Sequence, residues 1–452
     1  MADLSRPTQP LAHYSERLAA DTRERAGQAP AITSGHAGAS AAATDRLEAL
    51  VGDLHPALTE LALALHADPE TAFAEVRSAQ RVADLVASEG IEASVGVHGL
   101  ETAVRAEFSA GSGGSGGRTI AILAEYDALP EIGHACGHNI ICATGVGAFL
   151  ALKRLADADP GAFDGRVVLL GTPAEEGHTG KEYMAREGAF EGLDAAIMLH
   201  PYGTDAADQV WLGRRTCKVT FTGRPAHASA EPFMGRNALD AATLMYTGIG
   251  LLRQQMIPVD RVHAVISEGG TRASIIPETA IVNLYVRSKY APTLADLSQR
   301  VTALAEGAAL MAGVGVHIEW DQHPPSLPVR SNQPLTARWA VAQARRGRRA
   351  LPLGVVPETI AASTDFGNVS FRVPGIHPLL KIADEGVALH TRGFAEAAGA
   401  QPALDAIADG AFGLAATALD FLVDDDLARA VADDFEAAGG ATDVEHLFTE
   451  LQ

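Results

Sequence analysis

The sequence predicts an α/β protein: a domain with a mostly parallel central sheet flanked by helices, plus an inserted α+β domain. Three observations carry this. Short, continuously apolar segments alternate with helical ones over residues 45–214, as buried parallel strands alternate with their crossover helices. Near residue 215 the character changes to four strand-like segments and two long helical ones, a block of about a hundred residues and the size of a small domain. After about residue 326 the first pattern returns. The division is therefore an N-terminal arm at 1–44, a discontinuous domain at 45–214 and 327–452, and an insert at 215–326.

The elements follow in order. Residues 27–44, GQAPAITSGHAGASAAAT, are rich in Ala, Gly and Ser and predict a linker or loosely attached arm. Asp45 is the expected N-cap of a helix through RLEALVGDLHPALTELALALHADPE, whose leucines and alanines recur at helical spacing. A second helix spans roughly Val76–Ser88 and ends at Glu89 and Gly90, where glycine can take the left-handed cap conformation. TAVRAEF and RTIAILAEY are expected strands, ICATGVGAFLALKRLA a helix, GRVVLLGTP a buried strand, KEYMAREGAF a helix and DAAIMLHP a short apolar strand. In the insert, TCKVTFTGRPAH, HAVISEGG, AIVNLYVRS and VGVHIEWDQ predict strands. NALDAATLMYTGIGLLRQQM and TLADLSQRVTALAEGAALMAG predict helices, and ALDAIADGAFGLAATALDFLV closes the pattern as a last helix. There is no internal repeat.

Composition bounds the function. With 452 residues, 47% of them hydrophobic and 20% charged, the chain can build two domains with their own cores. A net charge of -21 argues against nucleic-acid binding, which needs a basic face. Three cysteines, Cys136, Cys142 and Cys217, form no even, regularly spaced set, so a disulfide framework is not expected and a reducing compartment is. The N-terminus lacks the apolar core of a signal peptide, and no apolar run approaches the roughly 18 residues that span a membrane. The expectation is a cytoplasmic protein with no membrane and no nucleic-acid partner. Gly111, Gly113 and Gly116 formally match a dinucleotide fingerprint, but the segment that follows is a strand where that motif needs a helix N-terminus. A hairpin loop accounts for those glycines better.

The chemistry concentrates elsewhere. Cys136 and His138, in HACGH, put a thiol and an imidazole on one short loop, and both are strong ligands for zinc-like ions. A buried cysteine beside a hydrogen-bonded histidine gives the same pattern. Glu175 and Glu176 follow the apolar strand VVLLGTP, at the strand end where open α/β sheets place their sites. One could hold metal and the other move protons; a solvated acidic turn is the alternative. His200 ends IMLH, and His390 follows a short apolar run in GVALHTR. Together these positions deliver Cys, His, Glu, His and His to one sheet edge.

HADPETAFAE, AEYDALP, HACGH, PAEEG, LHP, GRPAHAS, GGT with IIP, and ALHT, in this order, resemble the M20 metallopeptidase family. The nearest branch is that of aminoacylases and amidohydrolases, which includes aminobenzoyl-glutamate hydrolases and aminoacylase-1-like dipeptidases. The resemblance covers roughly residues 45–425. It implies two divalent metal ions, Zn2+ or Mn2+, in the catalytic domain, and an inserted domain that serves as lid and as the contact of a homodimer. Cys136 would bridge the metals, with His138 and His200 on one and Glu176 and His390 on the other. Asp127 would orient a ligand. Glu175 would be the general base, and His227 would reach the partner subunit's site to stabilise the oxyanion. Arg287 matches a position that can bind a substrate carboxylate. Two positions depart from the family: Ser274 stands where many members have Asn, and His178 where relatives commonly have Gly. His377 rivals His390 as last ligand; His390 is preferred because ALHT leads into the final helix. The implied activity is hydrolysis of the amide bond of N-acyl or aroyl amino acids. A dipeptidase is the alternative. A non-catalytic binding protein is disfavoured, since ligands and base are all present.

Overall fold

The computed structural model describes residues 7–8, 10–111, 117–444 and 446–450. The chain enters through α1 (His13–Gln28) and α2 (Ala41–Ala67). Ser40, rather than Asp45, caps α2: its hydroxyl accepts from the Ala43 N–H at 3.2 Å, while Asp45 lies inside the helix and pairs with Arg345. The segment before α2 is not a loose arm. Gly38 and Ala39 donate their N–H groups to the carboxylates of Asp424 and Asp420 at 2.9 and 2.7 Å, and Arg338 holds the His36 carbonyl at 2.8 Å. Small polar residues had suggested a linker; here they let the backbone lie close enough for such bonds.

α3 (Val76–Ser88) ends as the sequence predicts, with Gly90 left-handed at φ +77°. Then come β1 (Ala93–Val95), β2 (Val104–Ala110), β3 (Arg118–Ala124), α4 (His138–Ala158), β4 (Gly165–Gly171), α5 (Gly180–Arg186), β5 (Ala195–Ile197) and β6 (His200–Tyr202). The insert is built from β7 (Gly213–Thr222), α6 (Ala238–Leu252), β8 (Arg261–Glu268), β9 (Thr279–Ser288), α7 (Ala291–Ala312) and β10 (Gly315–Trp320). The return comprises α8 (Gln333–Arg345), α9 (Phe366–Ser370), β11 (Gly375–Ile376), β12 (Leu379–Lys381), α10 (Arg392–Ala398), α11 (Gln401–Val423), α12 (Asp425–Ala437) and α13 (Leu447–Glu450).

The central sheet has six strands in the order β1-β2-β4-β3-β5-β11. The ladders β4–β3, β3–β5 and β5–β11 are parallel; β1–β2 and β2–β4 are antiparallel. Alternate residues face opposite layers. Ile120 and Ile122 join a core with α2, α4 and α11, while Leu123 and Leu170 join Met184 and Phe366 on the other side. Close packing is specific: a Cβ on Gly145 of α4 would lie 2.7 Å from the Leu123 carbonyl oxygen. β4 separates β2 from β3, so these two do not form the hairpin expected across the glycine run, because local pattern does not encode strand order. Residues 112–116 of that run lie outside the described residues. α4 and α11 are long and apolar enough to cross a membrane by length and composition, contrary to the sequence expectation, but both are buried in the core.

The DAAIMLHP segment also differs from expectation. Its strand stops at Ile197, and His200 opens β6, which pairs in parallel with β12 as a separate two-stranded sheet. The insert is an antiparallel sheet, β10-β7-β9-β8, covered on one face by α6 and α7 through Val219, Phe221, Val282, Met245 and Val301. The chain enters and leaves it side by side: Arg214 and Ser326 exchange backbone hydrogen bonds of 2.7 and 2.9 Å.

Candidate metal centre

β3 and β4 run parallel, so their C-terminal ends open on one edge of the sheet. Asp127 lies three residues beyond β3, and Glu175 and Glu176 four and five beyond β4. Cys136 precedes α4, and His138 is its first residue. His390 reaches the same point on a loop fixed by its own N–H, which donates to the Ala135 carbonyl at 2.9 Å; its backbone is left-handed at φ +59°.

These elements bring two donor triads together around Cys136, and a third unites His138, Glu175 and Glu176. The donor atoms of Cys136, His138 and His200 lie within 4.8 Å of one another, as do those of Cys136, Glu176 and His390. The Cys136 sulfur is common to both, 3.4 Å from His200 Nε2. Glu176 Oε1 lies 3.4 Å from His390 Nε2. His377 does not join them: it is buried, stacked on Phe366 at 5.1 Å with its ring 5.7 Å from that of His200, and both its nitrogens are unpartnered.

The residues present fit a divalent metal. Each inner histidine has one nitrogen committed and the other turned inward. His138 Nδ1 donates to Asp127 Oδ1 at 2.9 Å, and His200 Nδ1 donates to the Pro201 carbonyl at 2.7 Å. His138 Nε2 and Glu176 Oε1 are then buried and make no hydrogen bond, their nearest polar neighbours being Glu125 Oε2 at 3.5 Å and His390 Nε2 at 3.4 Å, an arrangement a divalent ion would satisfy. The set of thiol, imidazole and carboxylate suits borderline ions such as zinc and also admits manganese.

The electrostatics point the same way. Burial, then the charges of Glu176, Glu125 and Asp365, pushes the Glu175 carboxyl well above the usual range. Burial also raises the Cys136 thiol, with Glu176 adding to it. Burial opposes a charged His138, but Asp127 and Glu125 outweigh it and hold its pKa well above 6.5. His200, buried and facing His138, falls to about 3. A bound cation offsets this concentration of negative charge and deprotonates a coordinating thiol.

Several residues that sequence reasoning missed also shape the centre. Glu75 accepts from the Ala174 N–H at 2.9 Å and from Thr102 at 2.8 Å, fixing the start of the glutamate loop. Asp127 Oδ2 accepts from the Glu176 N–H at 2.9 Å. Lys181 is fully buried between Glu125 and Asp365, its Nζ 2.6 Å from Asp365 Oδ1. Glu75 and Glu125 stand inside the motifs HADPETAFAE and AEYDALP, which was the available signal. Lys181 looks like a surface lysine of a short helix, and nothing local marks Asp365.

A cavity of 570 Å³ opens over the triads and is walled by Trp211, Arg214, Arg287 and Ser363 among others. Arg287 is one of its walls. His178 does not line the cavity: its ring packs on Phe73 at 5.1 Å and His323 at 4.5 Å, and its Nδ1 donates to the Glu176 carbonyl at 2.8 Å. Ser274 and His227 lie together on the insert, where the Ala228 N–H donates to the Ser274 carbonyl at 3.0 Å. Neither lines the cavity, and the His227 side chain is exposed.

Adjacent carboxylates beside a shared thiol suit hydrolysis of carbon–nitrogen bonds, and the protein is a hydrolase of that class. Comparison with known proteins gives the family: the chain belongs to peptidase family M20/M25/M40, whose model matches residues 121–396. It is 38% identical to the Xaa-Arg dipeptidase of Mus musculus over 384 residues, 84% of this chain and 89% of that protein. It is 34% identical to one of the subunits of the p-aminobenzoyl-glutamate hydrolase of Escherichia coli (strain K12) over 287 residues, 58% of this chain and 57% of that one. A dinuclear metal-binding peptidase of the M20 family from Bacillus subtilis shares the fold, with a TM-score of 0.62 at 21% identity over 81% of this chain and 99% of that one.

Proposed function

We propose that this enzyme hydrolyses the amide bond of N-acyl or aroyl amino acids with two Zn2+ or Mn2+ ions, and that it works as a homodimer in the cytoplasm. The observation that carries this is the shared Cys136, with Glu175 next to one triad and Arg287 in the same cavity. When bound, the metal pair polarises the scissile carbonyl and lowers the pKa of a water. Glu175 takes the proton from that water and returns it to the leaving amine. Asp127 keeps His138 in the tautomer that presents Nε2.

Arg214 and Arg287 both flank the Tyr285 ring, at 5.6 and 5.4 Å, and the Nε of each is buried without a partner. A substrate carboxylate is the natural occupant of such paired forks. Among the described residues, the only carboxylates lining the cavity are Glu175 and Glu176. No third acid remains for a free amino group, which favours N-acyl substrates. The likeness to the Xaa-Arg dipeptidase of Mus musculus supports the second reading, a dipeptidase. His227 of a second copy would supply the oxyanion donor. Three free, buried cysteines accord with a reducing compartment.

The test is amine release from a panel of N-acyl amino acids, aminobenzoyl-glutamate and dipeptides, with added zinc or manganese. Turnover confined to the acyl and aroyl substrates is expected, and turnover confined to dipeptides promotes the second reading. Glu175→Gln is expected to lower kcat by about 10²–10⁴-fold with metal content unchanged. Metal lost with activity retained would remove Glu175 from the role of base.

A further inference from the structure

The glutamate loop is strained at both ends. Ala174 sits at φ +59° and Thr179 at φ +62°, and only Gly177, at +81°, has the residue type that adopts such angles freely. A β-branched side chain in the left-handed region is an outlier that persists only where its surroundings enforce it. At Thr179 those surroundings are polar. Its hydroxyl, fully buried, lies 3.2 Å from Ser326 Oγ and accepts from Arg214 Nη2 at 3.1 Å. Arg214 and Ser326 stand on the two segments by which the chain enters and leaves the insert. One hydroxyl therefore ties both hinge segments to the loop that carries Glu175 and Glu176.

The loop cannot absorb a pull at its ends. The Gly180 N–H donates to the Ala174 carbonyl at 2.9 Å and closes it, and a Cβ on Gly180 would lie 1.9 Å from the Pro173 carbonyl oxygen. A second contact runs in parallel: His178 packs on His323, whose Nδ1 is 3.2 Å from the Tyr183 hydroxyl. Arg214 also faces the cavity.

We propose that Thr179 is a positioning residue: through the Arg214–Thr179–Ser326 knot, the seating of the insert and the occupancy of Arg214 set the position of Glu175. This rests on the hydrolase reading above, which wild-type turnover tests by itself. Thr179→Val keeps the shape and removes the hydroxyl. In the full-length, metal-loaded enzyme it is expected to lower kcat about tenfold, as a small misplacement of a reacting group does. KM should stay within about twofold and two metals should remain bound, the signature of an interaction that matters only at the transition state. Thr179→Ser, which keeps a hydroxyl, should recover kcat to within about twofold.

A raised KM with unchanged kcat in the valine variant would reduce the knot to substrate binding by Arg214 and overturn the proposal. So would activity that falls only in proportion to folded or metal-loaded protein, by thermal melting and metal analysis. Ser326→Ala frees the exit segment from the knot, removing the Ser326 contacts to Thr179 and Arg214 while leaving the Arg214–Thr179 bond and the loop unaltered. It keeps the proposal testable if Thr179→Val does not fold, and wild-type kcat in that variant would also overturn it.

Discussion

His138 and His227 are held in two different ways. His138 is buried at the head of α4, with Asp127 on one ring nitrogen and the carboxylates of Glu125 and Glu176 at 3.5 and 4.0 Å from the other. His227, on the insert, is exposed, and its ring accepts only from the backbone N–H groups of Ser229 and Ala230, at 3.2 and 3.1 Å. The catalytic sheet completes its part of the site within one chain. The insert presents its residues outward, along with Leu310 and Met311 of α7, which are 84% and 72% exposed. Scattered exposed apolar side chains are ordinary on a protein surface, and a second copy, if the proposed dimer forms, is what could cover these two. On the proposed reading, one half of the chain builds a metal centre and the other half completes the centre of a second copy.

The sharpest way to break that division is at Cys136, since its sulfur belongs to both triads. Cys136→Ser is expected to lose both metal ions and all measurable turnover, because an alcohol is a far poorer ligand than a thiolate. Metal analysis after dialysis decides: two ions at wild-type affinity would show that the sulfur is not shared.

The next effect tests the outward half. His227→Ala is expected to lower kcat by about 10²–10³-fold, the usual cost of one lost oxyanion donor. Mixing it with Glu175→Gln subunits should restore activity, since each mixed dimer then holds one site with both groups. If mixing restores nothing while both variants dimerise, His227 does not act across the interface.

Asp127 sharpens the inward half. Asp127→Asn leaves a side chain that can still bond His138 but loses its charge, and it is expected to weaken metal binding by about 10–100-fold. Calorimetric titration of the metal-free protein measures it. Unchanged affinity would place the orientation of His138 elsewhere.

What the sequence makes legible follows the same division. The strand ends carrying Glu175 and Glu176, and the thiol–imidazole pair at Cys136 and His138, are local in sequence, so motif and apolar run locate them together. The expected helix at Val76–Ser88 and the strand at 165–171 are marked by period and glycine in the same way. What is not legible depends on distant partners. β4 slips between β2 and β3 because strand order is set by packing. Lys181 meets Glu125 and Asp365 from 56 and 184 positions away, so its burial leaves no local trace. The N-cap of α2 falls at Ser40, whose hydroxyl meets the Ala43 N–H, while the Asp45 carboxylate is taken by Arg345, 300 positions away.

Glu75 gives an effect of another kind, one of stability. It is fully buried, and burial, with the charge of Asp127 adding to it, raises its carboxyl from 4.5 to about 7. Between those values the folded protein holds a proton that the unfolded chain has released. The stabilisation from this group is therefore complete below about pH 4.5 and is lost as pH rises through about 7, a change of at most about 3 kcal/mol. Glu75→Gln is neutral throughout and can still accept from the Ala174 N–H. Compared with the wild type, it should show a shallower fall in stability across that window, read from urea midpoints at a series of pH values. Parallel curves for the two proteins would mean that Glu75 is already ionised in the folded state. The negative charge at the start of the glutamate loop would then be a fixed part of the centre, offset by the metals rather than by a proton.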